Sequence, residues 1–147
     1  MVQELKSLLN SAYTPISNFK VASIVVTKDG KYYKGVNVED ASLRAGVCAE
    51  RNALFAAITD GLKKGMVESI HVMVGSGSIS TPCFVCRQML VELCDDDTLV
   101  RCYSTDGNYK DYLVRDLCPD AFDESDLKKG RDWCEPQIVD MIKKGVY

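Results

Sequence analysis

Val47-Cys48-Ala49-Glu50-Arg51-Asn52-Ala53-Leu54-Phe55, answered later by Thr81-Pro82-Cys83-Phe84-Val85-Cys86-Arg87-Gln88, decides how the rest of the chain is read. Cys83 and Cys86 stand at i, i+3, so their sulfurs leave one face of a single helical turn. Pro82 just before them suits a first turn. Cys48 begins a second predicted helix, an apolar run reaching about residue 60, with Gly61 near its C-terminal cap. Two helix starts can therefore aim at one point, and both macrodipoles put positive potential there. Such a place lowers thiol pKa values and suits thiolate ligands of a soft metal such as zinc. Three protein ligands leave a fourth position open, the catalytic arrangement. Glu50 can reach that position from the first turn, and a carboxylate there is a proton shuttle. Arg51 can donate to the sulfurs and offset their negative charge.

Outward from these stretches, residues 2–13 predict an amphipathic helix with Leu5, Leu8, Leu9 and Ala12 at helical spacing, ended by Thr14-Pro15. Residues 21–27 and 32–38 predict two strands around the turn Lys28-Asp29-Gly30-Lys31. Residues 69–74, 99–103 and 109–114 predict three more strands, and residues 84–93 the helix that carries Cys86. Short helices are expected over 124–129 and 136–144, with Trp133 as an apolar anchor between them. Strands separated by helical runs after an opening hairpin give an α/β fold: three-layer α/β/α with a mixed five-stranded sheet. One domain over 1–147 is expected, with 131–147 as a C-terminal extension packing on it.

Composition narrows the function. With 46% apolar and 27% charged residues the chain is an ordinary globular protein. A net charge of −3 offers no basic field for a phosphate backbone, so no nucleic-acid partner is expected. No apolar run reaches membrane-span length and the N-terminus has no signal-peptide core, so no membrane partner and a cytoplasmic location are expected. Seven cysteines are scattered without a disulfide framework. Cys48, Cys83 and Cys86 are assigned to the metal; Cys94, Cys102, Cys118 and Cys134 read as small hydrophobes. His71, the only histidine, reads as structural on a buried strand. Gly75-Ser76-Gly77 lacks the Lys-Ser/Thr of a phosphate loop and reads as the segment delivering Cys83. On their own, Phe19 reads as core, and Asn37 and Glu39 as turn and solvent residues.

Cys48-Ala49-Glu50-Arg51 followed by Pro82-Cys83-Phe84-Val85-Cys86-Arg87-Gln88 resembles the zinc-dependent cytidine deaminases, whose all-Cys signature has this form. The resemblance extends through Asn18-Phe19-Lys20-Val21-Ala22, Gly35-Val36-Asn37-Val38-Glu39 and Pro119-Asp120-Ala121-Phe122, in family order over roughly residues 1–130. It implies Zn2+ on Cys48, Cys83 and Cys86, with Glu50 as the catalytic proton shuttle and Arg51 balancing the thiolates. It further implies a nucleoside substrate contacted by Phe19, Asn37, Glu39, the backbone near Ala49, and Phe122. The reaction would be hydrolysis of cytidine and deoxycytidine to uridine and deoxyuridine, in pyrimidine salvage. The small all-Cys members are homotetramers with shared sites, in which the residue matching Phe122 reaches a neighbour's base. Phe84-Val85 replaces a common Gly-Ala step, Leu43 stands where many members carry Tyr, and Asp40 replaces a usual Asn. The competing readings are a deaminase of an antibiotic nucleoside or of a polynucleotide cytosine, and a structural zinc interaction domain, whose site would be closed by a fourth cysteine.

Overall fold

The strand β1 (Val21–Thr27) is buried from its second residue to its last and organises the sheet. The computed structural model describes residues 1–145, except for the side chains of residues 133 and 134. The expectations for Trp133 and Cys134 therefore lie outside the described side chains. β1 pairs antiparallel with β2 (Tyr32–Val36) and with β3 (Val67–Val74). β3 runs parallel to β4 (Leu99–Tyr103), which pairs antiparallel with β5 (Tyr109–Leu113). The order β2-β1-β3-β4-β5 is the mixed five-stranded sheet the sequence predicts. Gly30, at φ 82°, closes the β1–β2 hairpin in the left-handed region that glycine enters freely.

Alternation along β1 divides its side chains between two layers. Ala22, Ile24 and Val26 meet Leu5 and Leu9 of α1 (Val2–Leu9), together with Met73 and Tyr103. On the opposite face Val25, Ile70, Val72 and Val100 pack with Ala53, Leu54 and Ala57 of α2 (Ala49–Thr59) and Leu90 of α3 (Phe84–Leu93). These are the three layers. The α3 crossover between parallel β3 and β4 returns the start of α3 to the end of β3 where Val74 pairs with Val21. Sequence and topology thus bring the ends of β2 and β3 and the starts of α2 and α3 to one edge of the sheet.

β2 ends at Val36 rather than 38 and β3 begins at Val67 rather than 69, and larger departures fall elsewhere. α1 stops at Leu9 rather than 13, because Tyr13 is drawn into a bridge with Val38: its N–H donates to the Asn37 carbonyl at 3.0 Å, and its carbonyl accepts from Glu39 N at 2.9 Å. β5 ends at Leu113, whose N–H donates to the Asp116 carboxylate at 3.3 Å and opens a further short helix, α4 (Val114–Leu117). The two short C-terminal helices are one helix, α5 (Glu124–Lys143). Asp123 caps it by accepting from Ser125 N at 2.7 Å. Pro136 removes an amide donor there, yet its fixed φ matches the helix. Leu127, Ile138, Val139 and Ile142 of α5 are exposed.

Candidate active site

Cys48 and Cys83 are the N-cap residues of α2 and α3, and Cys86 lies in the first turn of α3. The α3 helix thus begins two residues after Pro82, which stands just outside it. The Cys48 and Cys83 sulfurs are 3.7 Å apart, those of Cys83 and Cys86 3.5 Å, and all three lie within 4.8 Å of one another. Zinc–sulfur bonds of about 2.3 Å in a tetrahedron put sulfurs about 3.8 Å apart, so the donor set fits zinc. No fourth described cysteine joins this cluster. Cys94 and Cys102 are buried apolar thiols, each pushed up to about 12 by desolvation. The closed four-cysteine site is not formed by the described residues.

The electrostatics favour a thiolate at Cys48. Cys48 is pulled down to about 5 by the hydrogen bond from the Cys86 thiol, with Arg51 adding to it, while Cys86, bonded to Cys48 and buried, is pushed up. The Arg51 Nη2 lies 3.9 Å from Cys48 Sγ and 3.4 Å from the Gly46 carbonyl. Its buried Nε has no hydrogen-bond partner, so the guanidinium keeps donor capacity next to the sulfurs. Glu50 is 3% exposed, and burial raises its pKa above the ordinary carboxylate value.

Glu50, Cys48 and Cys83 face a cavity of about 230 Å³ shared with Phe19 and Asn37. Its remaining walls are Val21, Val72, Val74, Ser80 and Thr81, none of which is among the expected site residues. The valines follow the period-two alternation of β1 and β3, but nothing in that alternation says which inward residues border a cavity. A larger groove, about 340 Å³, lies against α3 near residues 116–121 and includes neither Glu50 nor any of the three clustered cysteines.

Ala49, Glu39 and Phe122 stand around this cavity rather than in its wall, whereas Asn37 lines it. Ala49 is fully buried, and Phe122 is 55% exposed, its carbonyl accepting from Gln88 Nε2 at 2.8 Å. Asn37 accepts from Val21 N and donates to the Phe19 carbonyl, both at 2.8 Å. Glu39 accepts from Ile16 N at 2.9 Å, Ser17 N at 3.1 Å and the Ser17 hydroxyl, the last of which holds its carboxyl below the usual range. Arg87, also unforeseen, ties the loop before Cys83 in place: it donates to the Pro82 carbonyl at 2.8 Å, Thr81 Oγ1 at 2.8 Å and the Leu117 carbonyl at 2.9 Å. Phe84 and Val85 are 80% and 59% exposed, so the bulk between the paired cysteines faces outward and leaves the cavity wall alone.

A family model described as the cytidine and deoxycytidylate deaminase zinc-binding region matches residues 1–102. The chain is 35% identical over 127 residues to a cytidine deaminase of Halalkalibacterium halodurans, covering 86% of this chain and 95% of that relative. It is 32% identical over 126 residues to one of Mycoplasma genitalium, covering 85% and 95%. The crystal structure of a cytidine deaminase from Burkholderia pseudomallei superposes with a TM-score of 0.78 at 39% identity, over 82% of this chain and 95% of that one. With the model matched over residues 1–102 and these relatives spanned almost end to end, the chain belongs to the zinc-binding cytidine and deoxycytidylate deaminase family.

Proposed function

We propose that this chain hydrolyses free cytidine and deoxycytidine to uridine and deoxyuridine, releasing ammonia. The observation that carries this reading is the buried Glu50 carboxylate beside three converging thiols in a nucleobase-sized cavity. Cys48, Cys83 and Cys86 would hold zinc, which when bound supplies Lewis-acid activation of water. Glu50 takes a proton from the water that adds to C4 of the base and delivers it to N3. It then takes the second proton of the added water from the new C4 hydroxyl and passes it to the amine, so that the C4 carbonyl forms as the C4–N bond breaks and ammonia leaves. Burial raises the Glu50 pKa, the direction that helps one carboxyl serve as both base and acid.

Phe19 offers an aromatic wall for the base, and backbone groups near Ala49 would contact the base edge. Asn37 keeps one amide hydrogen, and Glu39 an unfilled acceptor position, for the sugar hydroxyls. Arg51 balances the thiolates. Among the described residues no Lys, Arg or His lines the cavity, which favours a nucleoside over a phosphorylated or polymeric substrate. Phe122 would reach a neighbour's site within a homotetramer, a reading supported by its exposure and its absence from the wall of its own cavity. Reduced thiol ligands suit a cytoplasmic protein of pyrimidine salvage acting as one domain over 1–147. Among the described residues no helix is long and apolar enough to cross a membrane.

Incubation with cytidine, deoxycytidine, CMP and a cytosine-containing oligonucleotide tests the proposal through the absorbance of the base. Turnover of the two nucleosides alone, lost with a zinc chelator, is expected. Turnover of the oligonucleotide without the nucleosides would replace it with the polynucleotide reading.

A further inference from the structure

The segment between α1 and β1 is folded around the side chain of Ser17. Asn18 sits at φ 54°, in the left-handed region that Asn tolerates better than most residues, and its N–H donates to the Thr14 carbonyl at 3.1 Å. That reversal brings Phe19 N back to within 2.9 Å of Ser17 Oγ, to which it donates. The Ser17 hydroxyl in turn donates to Glu39 Oε1, while Ile16 N and Ser17 N both donate to Oε2. One hydroxyl thus links the cavity-lining Phe19 to the carboxylate of Glu39.

The chemistry of this link is directional. A hydroxyl has a single proton. With an acceptor position of Ser17 Oγ occupied by the Phe19 N–H, that proton is turned toward Oε1. Oε2 is held by two backbone donors, and the Ser17 bond to Oε1 is the further anchor that fixes the plane of the carboxylate. Oε1 keeps an acceptor position whose direction is set by Ser17 rather than by the free rotation of a surface glutamate.

We infer that Ser17 is a positioning residue for sugar recognition, orienting the Glu39 carboxylate toward a sugar hydroxyl and registering it against the Phe19 wall. The inference rests on the nucleoside-deaminase reading. Ser17 touches no reacting atom, and its effect passes through Glu39. Removing its hydroxyl leaves the Phe19 N–H without this acceptor and frees the carboxylate to turn. The loss should therefore fall on substrates that carry the hydroxyl Glu39 accepts from, and spare those that lack it.

The test compares the zinc-loaded full chain with Ser17→Ala and Ser17→Thr, measuring kcat and KM for cytidine and for 2′,3′-dideoxycytidine. Wild-type turnover of cytidine is established first; zinc-loaded protein that fails at this step defeats the nucleoside reading itself, before any variant is compared. Ser17→Ala should lower kcat/KM for cytidine about tenfold, the scale of one hydrogen bond to a charged group, chiefly through KM. It should change kcat/KM for 2′,3′-dideoxycytidine less than about twofold, and Ser17→Thr should restore the cytidine value. An equal loss on both substrates would show that Ser17 merely supports the Phe19 wall and would overturn the inference, as would no loss on either.

Discussion

At the scale of single residues, the decisive group is Glu50. It is the buried carboxylate of the cavity, and it belongs to α2 while two of the clustered thiols belong to α3 or its cap. A substitution there can leave the thiol cluster in place. Glu50→Gln keeps the shape and the hydrogen-bonding capacity but carries no proton to transfer. Turnover should fall by about two to four orders of magnitude, the usual contribution of general acid–base catalysis, with zinc content unchanged by metal analysis. Loss of zinc together with turnover would make Glu50 a metal ligand instead. Cys48, Cys83, Cys86 and Glu50 were legible in the sequence because few residue types carry this chemistry, and their spacing restricts what they can do. Val72, Val74, Ser80 and Thr81 were not, because a valine or a serine becomes a cavity wall only through its tertiary neighbours. The same holds for Arg87, whose three bonds span residues 81–117.

At the scale of elements, the site depends on how closely α2 lies on β2. A Cβ at Gly35 would collide with the Ala49 carbonyl oxygen and stand 2.5 Å from Ala53 N, so this helix and strand approach backbone to backbone. Asn52 Nδ2 fastens the same pair by donating to the Val36 carbonyl at 2.7 Å. Gly35→Ala must push the start of α2 outward, carrying Cys48 and Glu50 with it. Overpacking of this kind costs about 1–3 kcal/mol, and both the melting temperature and zinc affinity should drop. A variant that melts lower but binds zinc as wild type would show the start of α2 to be set by Cys48 alone.

His71 on β3 carries a second prediction at this scale. It pairs across strands with Ile24 and Arg101, its Nδ1 is 3.0 Å from the Tyr103 hydroxyl, and its Nε2 is 3.1 Å from Ser69 Oγ. Burial, followed by the repulsion of Arg101 and the N-terminus against the partial help of Asp111, lowers its pKa to about 4. The unfolded chain binds this proton near pH 6.5 and the folded chain only near 4, so acid favours unfolding across that interval. The stabilisation is complete above about pH 6.5 and is lost, by about 1–3 kcal/mol, as the pH falls toward 4. The drop in melting temperature between about pH 7 and pH 5 should be smaller in His71→Gln than in the wild type. The strands and α2 were readable from apolar periodicity. The early end of α1 was not, since it is imposed by the Tyr13–Val38 bridge, a contact between residues 25 positions apart.

At the scale of the whole molecule, several large apolar side chains are left facing outward: Leu43, Phe84, Val85 and Phe122 are all more than half exposed. Such surfaces are what a closed assembly of identical chains would cover. If each site draws Phe122 from a neighbour, Glu50 and Phe122 of one chain serve different sites, and defects in the two should complement. Glu50→Gln chains alone should be inactive, and Phe122→Ala chains alone impaired. After equal amounts are unfolded and refolded together with zinc, half of the sites carry an intact Glu50, and half of those meet an intact Phe122 from a Glu50→Gln chain. About a quarter of the sites should then be complete, and activity should rise above the sum of the two parents. If Glu50 and Phe122 instead serve the same site within one chain, no mixed assembly contains a complete site and the refolded mixture shows only the parental sum.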